Sequence, residues 1–228
     1  MSHRSAASRE DLAEFVWTVV VAGGSGLRFG SRKQFADLGG KSVLQRSVDV
    51  AASRSSGVVV VVPADSVGDI DLASGAELHV VAGGQTRAES VRCGLSAIPE
   101  SAEIILVHDA ARPLASPQLF ERVVAAIRAG AHAVVPTVAV SDTIRHVDGG
   151  VVDRSELLAV QTPQGFNAKS LRAAHSAGGE ATDDASLVEA NGHQVTAVAG
   201  EAENRKLTEP TDLVTAAALI EHREVANP

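Results

Sequence analysis

The sequence predicts an α/β fold, a mostly parallel sheet flanked by helices, on three observations. Short Val/Ile-rich runs alternate with helix-like stretches, as they do in successive βαβ units. The hydrophobic fraction is 45% with only 3% aromatics, and its richness in Val and Ala suits strands buried on both faces better than an all-β sandwich. At 228 residues, with no Ser/Pro/Gly-rich linker, the chain is long enough for one well-buried core.

The expected strands are Val16–Val21, Val58–Val62, Leu78–Val81, Ile104–Val107, Ala133–Pro136 and Val195–Val198. Helix starts stand between them. Ser42 to Gln45 and Thr86 to Glu89 read as capping boxes, and Ser116 caps a helix with Pro117 at its first position. Leu119, Phe120, Val123, Val124 and Ile127 then share one face of that helix. A helix through Ala185, Leu187 and Val188 is capped within Thr182-Asp183-Asp184 and stopped by Asn191-Gly192, and a final one covers Asp212 to Glu221 after Pro210.

The stretch SDTIRHVDGGVVDR, Ser141 to Arg154, breaks this rhythm with two short β-like runs around Asp148-Gly149-Gly150, a hairpin signal. Such an arm, at about residues 138–160, has too little domain beneath it to bury both faces, so a homodimer formed through it is the expectation. The single expected domain covers residues 16–222, preceded by a polar tail at 1–15, and the sequence ends soon after the last helix, as expected of a stand-alone protein.

A net charge of −8 opposes nucleic acid or an anionic membrane as partner, so basic residues gathered at particular turns suit a small anionic ligand. The single cysteine, Cys93, rules out an intrachain disulfide or a Cys-rich zinc site. The first residues lack the apolar core of a signal peptide and no later segment sustains a membrane span, so the expected location is cytoplasmic.

The segment VVVAGGSGLRFGSRKQF carries two near-misses. From Gly24 and Gly26 the third glycine of a dinucleotide fingerprint falls on Phe29, and a Walker A loop ending at Gly40-Lys41-Ser42 would need its first glycine at Phe35. What remains is their shared physics: glycines that let backbone N–H groups approach an anion, with Arg28, Arg32 and Lys33 close by. Ligands of an open α/β sheet bind beyond the carboxyl ends of its strands. Those ends carry a second glycine-rich turn with Gly84, Arg87 and Ser90, then His108-Asp109 with Arg112, and late in the chain Arg205-Lys206. This rim suits a nucleoside triphosphate with a divalent metal. Asp109 matters most, because a carboxylate ending the apolar run Ile104–Val107 is costly to desolvate alone and a hard cation such as Mg²⁺ would satisfy it. A structural partner in Arg112 or a following turn is the competing account. A packed or hydrogen-bonded role is expected for His108, and helix capping for Asp183-Asp184, which is also a possible metal pair.

The ordered segments AGGSGLRFGSRKQF, GGQTRAESVRCGL, VHDAARP, SDT, VDR, TPQGF, TDDASLVE and NRKLTEPTDL resemble those of the 2-C-methyl-D-erythritol 4-phosphate cytidylyltransferases of the non-mevalonate isoprenoid pathway. The resemblance spans about Val16 to Leu219 and implies a Rossmann-like nucleotidyltransferase fold, a homodimer through the β-arm, and Mg²⁺-dependent transfer of CMP from CTP to a polyol phosphate. By the same resemblance Ala22, Gly23, Gly24 and Gly26 would hold CTP with Ala110, while Gly84, Arg87 and Ser90 would help read the cytidine. Asp109 would coordinate Mg²⁺, and Arg28, Lys33 and Lys206 would stabilise charge at the reacting phosphorus. Arg112, Thr143 and Lys206 would approach the methylerythritol phosphate, joined by Arg154 and Thr182 from the neighbouring subunit.

One departure stands out. The family pattern has a proline before the lysine and a loop two residues longer; here Arg32 precedes Lys33 and only four residues separate it from Arg28. At ~3.3 to 3.6 Å per extended residue, that shortening is enough to move the lysine ammonium by several ångströms. A pentitol phosphate such as ribitol 5-phosphate is the alternative acceptor, and a catalytically impaired nucleotide-binding protein the alternative of another class.

Overall fold

The computed structural model describes residues 15–23 and 33–226. Its eight-stranded main sheet is built on β1 (Val16–Val21), β2 (Gly57–Val62), β3 (Glu77–Ala82) and β4 (Ile104–Asp109), which run parallel in the order β3-β2-β1-β4. Beyond β4 come β9 (Gln164–Asn167), β5 (Ala133–Ala139) and β10 (Val195–Ala199), with β9 antiparallel to both neighbours and β10 parallel to β5. The short β8 (Leu158–Val160) pairs antiparallel with β5 at Thr137 to Ala139, on the same side as β9.

The residues of β1, β2 and β4 alternate between two buried faces, which is why these strands read as continuous apolar runs. Val16, Val20, Val58, Val60 and Leu106 meet Leu44 and Val48 of α1 (Val43–Ala52) and the Leu119–Ile127 face of α3 (Pro117–Arg128). On the opposite face Val19, Val59, Val61, Ile105 and Val107 meet α2 (Arg87–Ser96), α4 (Ala168–Ser176) and α5 (Asp184–Ala190). A smaller cluster joins Leu38, Val43, Leu114 and Leu207 to Ala216 and Ile220 of α6 (Pro210–Ala226). No helix among the described residues is long and apolar enough to cross a membrane.

The expected strands are present, most of them a residue or more longer, and the caps hold with one exception. Thr86 forms both halves of its box with Glu89, but Ser42 only accepts from the Gln45 N–H, while the Gln45 amide is drawn instead to Asp49 and Ala73. The final helix starts at Pro210, earlier than expected, because the Asp212 carboxylate accepts from the Thr208 and Glu209 N–H groups and so caps the turn before it. Between β5 and β8, β6 (Ile144–Arg145) and β7 (Val151–Val152) form the expected hairpin, turned by Gly149 and Gly150 at φ +105° and +85°. The hairpin departs from the sheet where β5 ends at Ala139, and the chain rejoins β5 through β8 at Leu158.

Strand β9 lies in the middle of the sheet yet escaped the sequence reading. Its residues Gln164-Gly165-Phe166-Asn167 carry no β-branched run, and Gly165 is required by its neighbours: a Cβ there would stand 2.3 Å from Val123 Cγ1 and 3.2 Å from Leu106 Cδ2.

Fully buried His108 fastens this region to β4. The Asp109 N–H donates to Thr162 Oγ1 at 3.0 Å, and His108 Nδ1 and Nε2 lie 3.1 and 3.2 Å from Thr162 Oγ1 and the Arg112 carbonyl. A neutral ring meets both partners, accepting the Thr162 hydroxyl proton at Nδ1 and donating from Nε2. Burial pushes its pKa from 6.5 down to about 4, more than the neighbouring Asp109 charge raises it. The unfolded chain therefore takes up a proton below about pH 6.5 that the folded chain refuses until about pH 4. Urea unfolding at a series of pH values will show stability falling across that window by roughly 3 kcal/mol from this group, and His108→Gln will flatten the fall; an unchanged slope in the variant contradicts the assignment.

Candidate active site

Strand order reverses beside β1, whose path runs to β2 and β3 on one side and to β4 on the other. This is the position where open α/β sheets bind ligands. Asp109 closes β4 there with its side chain only 13% exposed. Its Oδ2 accepts from Lys206 Nζ at 2.7 Å, and Arg87 Nε lies 3.7 Å from Oδ1. Burial alone would raise the carboxyl pKa, but Lys206 and then Arg87 more than offset it, so Asp109 is held ionised below its ordinary range. Arg112, the structural partner considered for Asp109, instead donates to the carbonyls of Asn204 at 2.7 Å and Val160 at 3.2 Å.

Lys206 reaches Asp109 because the late segment is stapled to the turn after β4. Leu207 N–H donates to the Ala111 carbonyl at 2.8 Å, and buried Asn204 donates to the Thr162 carbonyl at 2.9 Å. Arg87 is placed by the start of α2, where Glu89 accepts from the Gln85 and Thr86 N–H groups at 2.6 and 3.1 Å and Ser90 donates to the Thr86 carbonyl. Gly84 belongs to the same construction, since a Cβ on it would lie 2.3 Å from Glu89 Cβ. Glycine is needed there by the fold, whatever it does for a ligand.

Two cavities open on this rim. The first, of about 210 Å³, is lined by Ala22, Gly23, Gly84, Arg87, Ser90, Asp109 and Ala110 together with Lys33 and Lys206. The second, of about 420 Å³, contains Arg112, Thr162, Gln164, Thr182 and Asp183. Arg87, Asp109 and Lys206 line both. A ligand in each cavity would thus meet at one carboxylate flanked by two cations.

The expected residues separate into three groups. Those above lie on one surface. Gly24, Gly26, Arg28 and Arg32 lie outside the described residues. Thr143 and Arg154 are exposed on the arm and line neither cavity, Arg154 donating to the Ser141 carbonyl. The turn before α5 carries Thr182 into the second cavity of its own chain. Lys33 does reach the first cavity despite the shortened loop, and its ammonium donates to the Leu207 carbonyl at 2.6 Å.

Three participants were missed. Thr162 and Gln164 lie on the β8–β9 segment that carried no strand signal, with Gln164 donating to Asp183 at 2.8 Å. The third is Asp184. Of the acidic pair, Asp183 is the cap, accepting from the Ser186 N–H, whereas Asp184 is buried and bound 2.7 Å from Arg87 Nη1. One acid more than the cap needs was the available signal.

Among the described residues no three His, Cys, Asp or Glu side chains gather as a metal cage. Asp109 instead offers one ionised carboxylate, whose Oδ1 carries, among the described residues, the longer Arg87 contact. That donor set fits a hard cation whose remaining ligands are phosphate oxygens and water.

Comparison with known proteins agrees with this geometry. The sequence model of the IspD family, 2-C-methyl-D-erythritol 4-phosphate cytidylyltransferase, matches residues 16–222. The chain is 47% identical over 216 residues to the 2-C-methyl-D-erythritol 4-phosphate cytidylyltransferase of Rhodococcus jostii, covering 90% of this chain and 95% of that one. It is 43% identical to a bifunctional IspD/IspF enzyme of Nitratidesulfovibrio vulgaris, of which it covers 56%. Among solved structures, the Thermus thermophilus 2-C-methyl-D-erythritol 4-phosphate cytidylyltransferase superposes with a TM-score of 0.76 at 38% identity, over 90% of this chain and 98% of that one. With its fold, its order of motifs and the rim around Asp109 all in accord, the chain belongs to the 2-C-methyl-D-erythritol 4-phosphate cytidylyltransferase family.

Proposed function

We propose that this chain transfers CMP from CTP to 2-C-methyl-D-erythritol 4-phosphate, releasing pyrophosphate and forming 4-diphosphocytidyl-2-C-methyl-D-erythritol for isoprenoid precursor synthesis. The observation that carries the site assignment is the pair of cavities sharing Arg87, Asp109 and Lys206. CTP occupies the first, against Ala22, Gly23, Gly84 and Ser90, and the acceptor phosphate occupies the second, near Arg112 and Thr182.

The acceptor phosphate is an anion that must attack the α-phosphorus of another polyanion, so the site's first task is to cancel repulsion and hold the two in line. Lys206 and Arg87 sit where the cavities meet. Before substrate arrives Lys206 is held by Asp109 and Arg87 by Asp184 with a longer contact to Asp109, and both oppose the charge that spreads over the α-phosphoryl oxygens as the bond to pyrophosphate breaks. Arg87 stays cationic: burial favours its neutral form, but Asp184 and Asp109 overcome this and raise its pKa. No protein nucleophile or general base is needed, because a phosphate oxygen is already ionised near neutral pH. Asp109 would hold Mg²⁺ or another divalent cation, which when bound supplies further neutralisation of the triphosphate.

The arm completes the site from a second copy. Val147 is fully exposed, and Val151 and Leu158 are more than half exposed, an apolar surface whose burial a dimer would provide. Arg154 and Thr143 then reach the acceptor cavity of the other subunit. The dimer works in the cytoplasm.

Asp109→Asn will keep its fold by circular dichroism yet lose at least about 100-fold in kcat for CTP-dependent pyrophosphate release, and near-normal turnover removes Asp109 from the mechanism. Arg154→Ala will bind CTP and turn over poorly. Mixing it with Lys206→Ala will restore part of the activity through hybrid dimers, whereas absence of any recovery argues against a shared site.

A further inference from the structure

Arg87 borders both cavities, yet its shortest ionic contact points away from them: Nη1 lies 2.7 Å from Asp184 Oδ2, against 3.7 Å from Nε to Asp109 Oδ1. The guanidinium is therefore anchored from behind. Asp184 is 1% exposed at the side chain, and a carboxylate so buried must have every oxygen partnered. Its second oxygen, Oδ1, lies 3.0 Å from Nε2 of His175, itself buried on α4. An ionised carboxylate only accepts, so Nε2 carries the hydrogen. The other ring nitrogen, Nδ1, is buried with no partner among the described residues, which leaves the bond to Asp184 as the ring's one hydrogen bond there.

We propose that His175 is a positioning residue for the transfer, acting through Asp184 on Arg87. The inference rests on the reading of Arg87 and Asp109 as parts of the active site. Three helices converge on one buried carboxylate: α2 brings Arg87 as its first residue, α5 begins with Asp184, and α4 supplies His175 near its end. Without the imidazole donor, Oδ1 is left unsatisfied in the interior, and the carboxylate gains by turning to recover a hydrogen bond. The guanidinium bound to it then shifts away from Asp109 and from the place where two phosphates must meet. His175 touches neither cavity that surrounds that place, so its whole effect passes through Arg87.

Three variants test this in the full-length enzyme. His175→Leu, which removes the donor at similar volume, will lower kcat about tenfold, the scale on which the supporting partners of a site act. The KM for CTP will stay within about twofold, since the loss falls on the transfer rather than on ground-state binding. His175→Gln, which presents an amide N–H at similar reach, will recover most of the rate. In Arg87→Lys the loss of His175 will add almost nothing, because the two residues act as one unit. A folded His175→Leu enzyme with wild-type kcat overturns the proposal, as do equal losses in Leu and Gln or a fully multiplicative double variant. Should His175→Leu fail to fold, His175→Asn, whose shorter amide falls short of Asp184, replaces it in the same comparison. The assay also includes Asp109→Asn. Turnover surviving in that variant defeats the active-site reading itself, whereas an inactive Asp109→Asn beside an unimpaired His175→Leu defeats the role of His175 alone.

Discussion

A carboxylate at the end of an apolar strand is unstable by itself, and the site is organised around meeting that constraint at Asp109. Its neighbours in β4 are fully buried, so the charge cannot be left to solvent. Two cations reach it from distant parts of the chain, Lys206 from the segment before α6 and Arg87 from the start of α2. Their arrival has a functional result, because the same three side chains separate and join the two cavities. The ion cluster that makes Asp109 tolerable also holds two cations where the cavities meet, the place at which the proposed transfer would need them.

A mix of backbone and side-chain hydrogen bonds holds that cluster in place. The turn after β4 is tied through His108 to Thr162, just before β9, and through Ala111 to Leu207, so Lys206 and the second cavity are referenced to one strand end. Arg87 stands on a complete capping box. The arm, with its exposed apolar residues and glycine turn, contrasts with the buried sheet from which it departs.

Much of this was readable from sequence, for identifiable reasons. Parallel strands buried on both faces must be apolar throughout, so the Val-rich runs marked β1, β2 and β4 directly. The Thr86–Glu89 capping box and the Asp-Gly-Gly turn are local chemistry and appeared where expected, whereas at Ser42 only the cap formed and not the box. What stayed hidden depends on residues far apart. Strand β9 owes its place to Val123 and Leu106 pressing on Gly165, and Asp184 looked like a second cap until Arg87, 97 positions away, was brought to it. Spacing shows which turn Thr182 occupies, and only the fold shows that this turn faces the second cavity of its own chain. Phosphate and metal could be argued from glycines, cations and Asp109, whereas cytosine and the methylerythritol acceptor came from the family resemblance alone.

The most direct test of the account is pyrophosphate release by the purified chain from CTP and Mg²⁺, with 2-C-methyl-D-erythritol 4-phosphate, ribitol 5-phosphate or no acceptor. The account predicts release with the methylerythritol phosphate, little with ribitol 5-phosphate and none without acceptor. Preference for ribitol 5-phosphate would contradict the acceptor assignment, and silence with both would contradict the claim that the cations around Asp109 form a working transfer site.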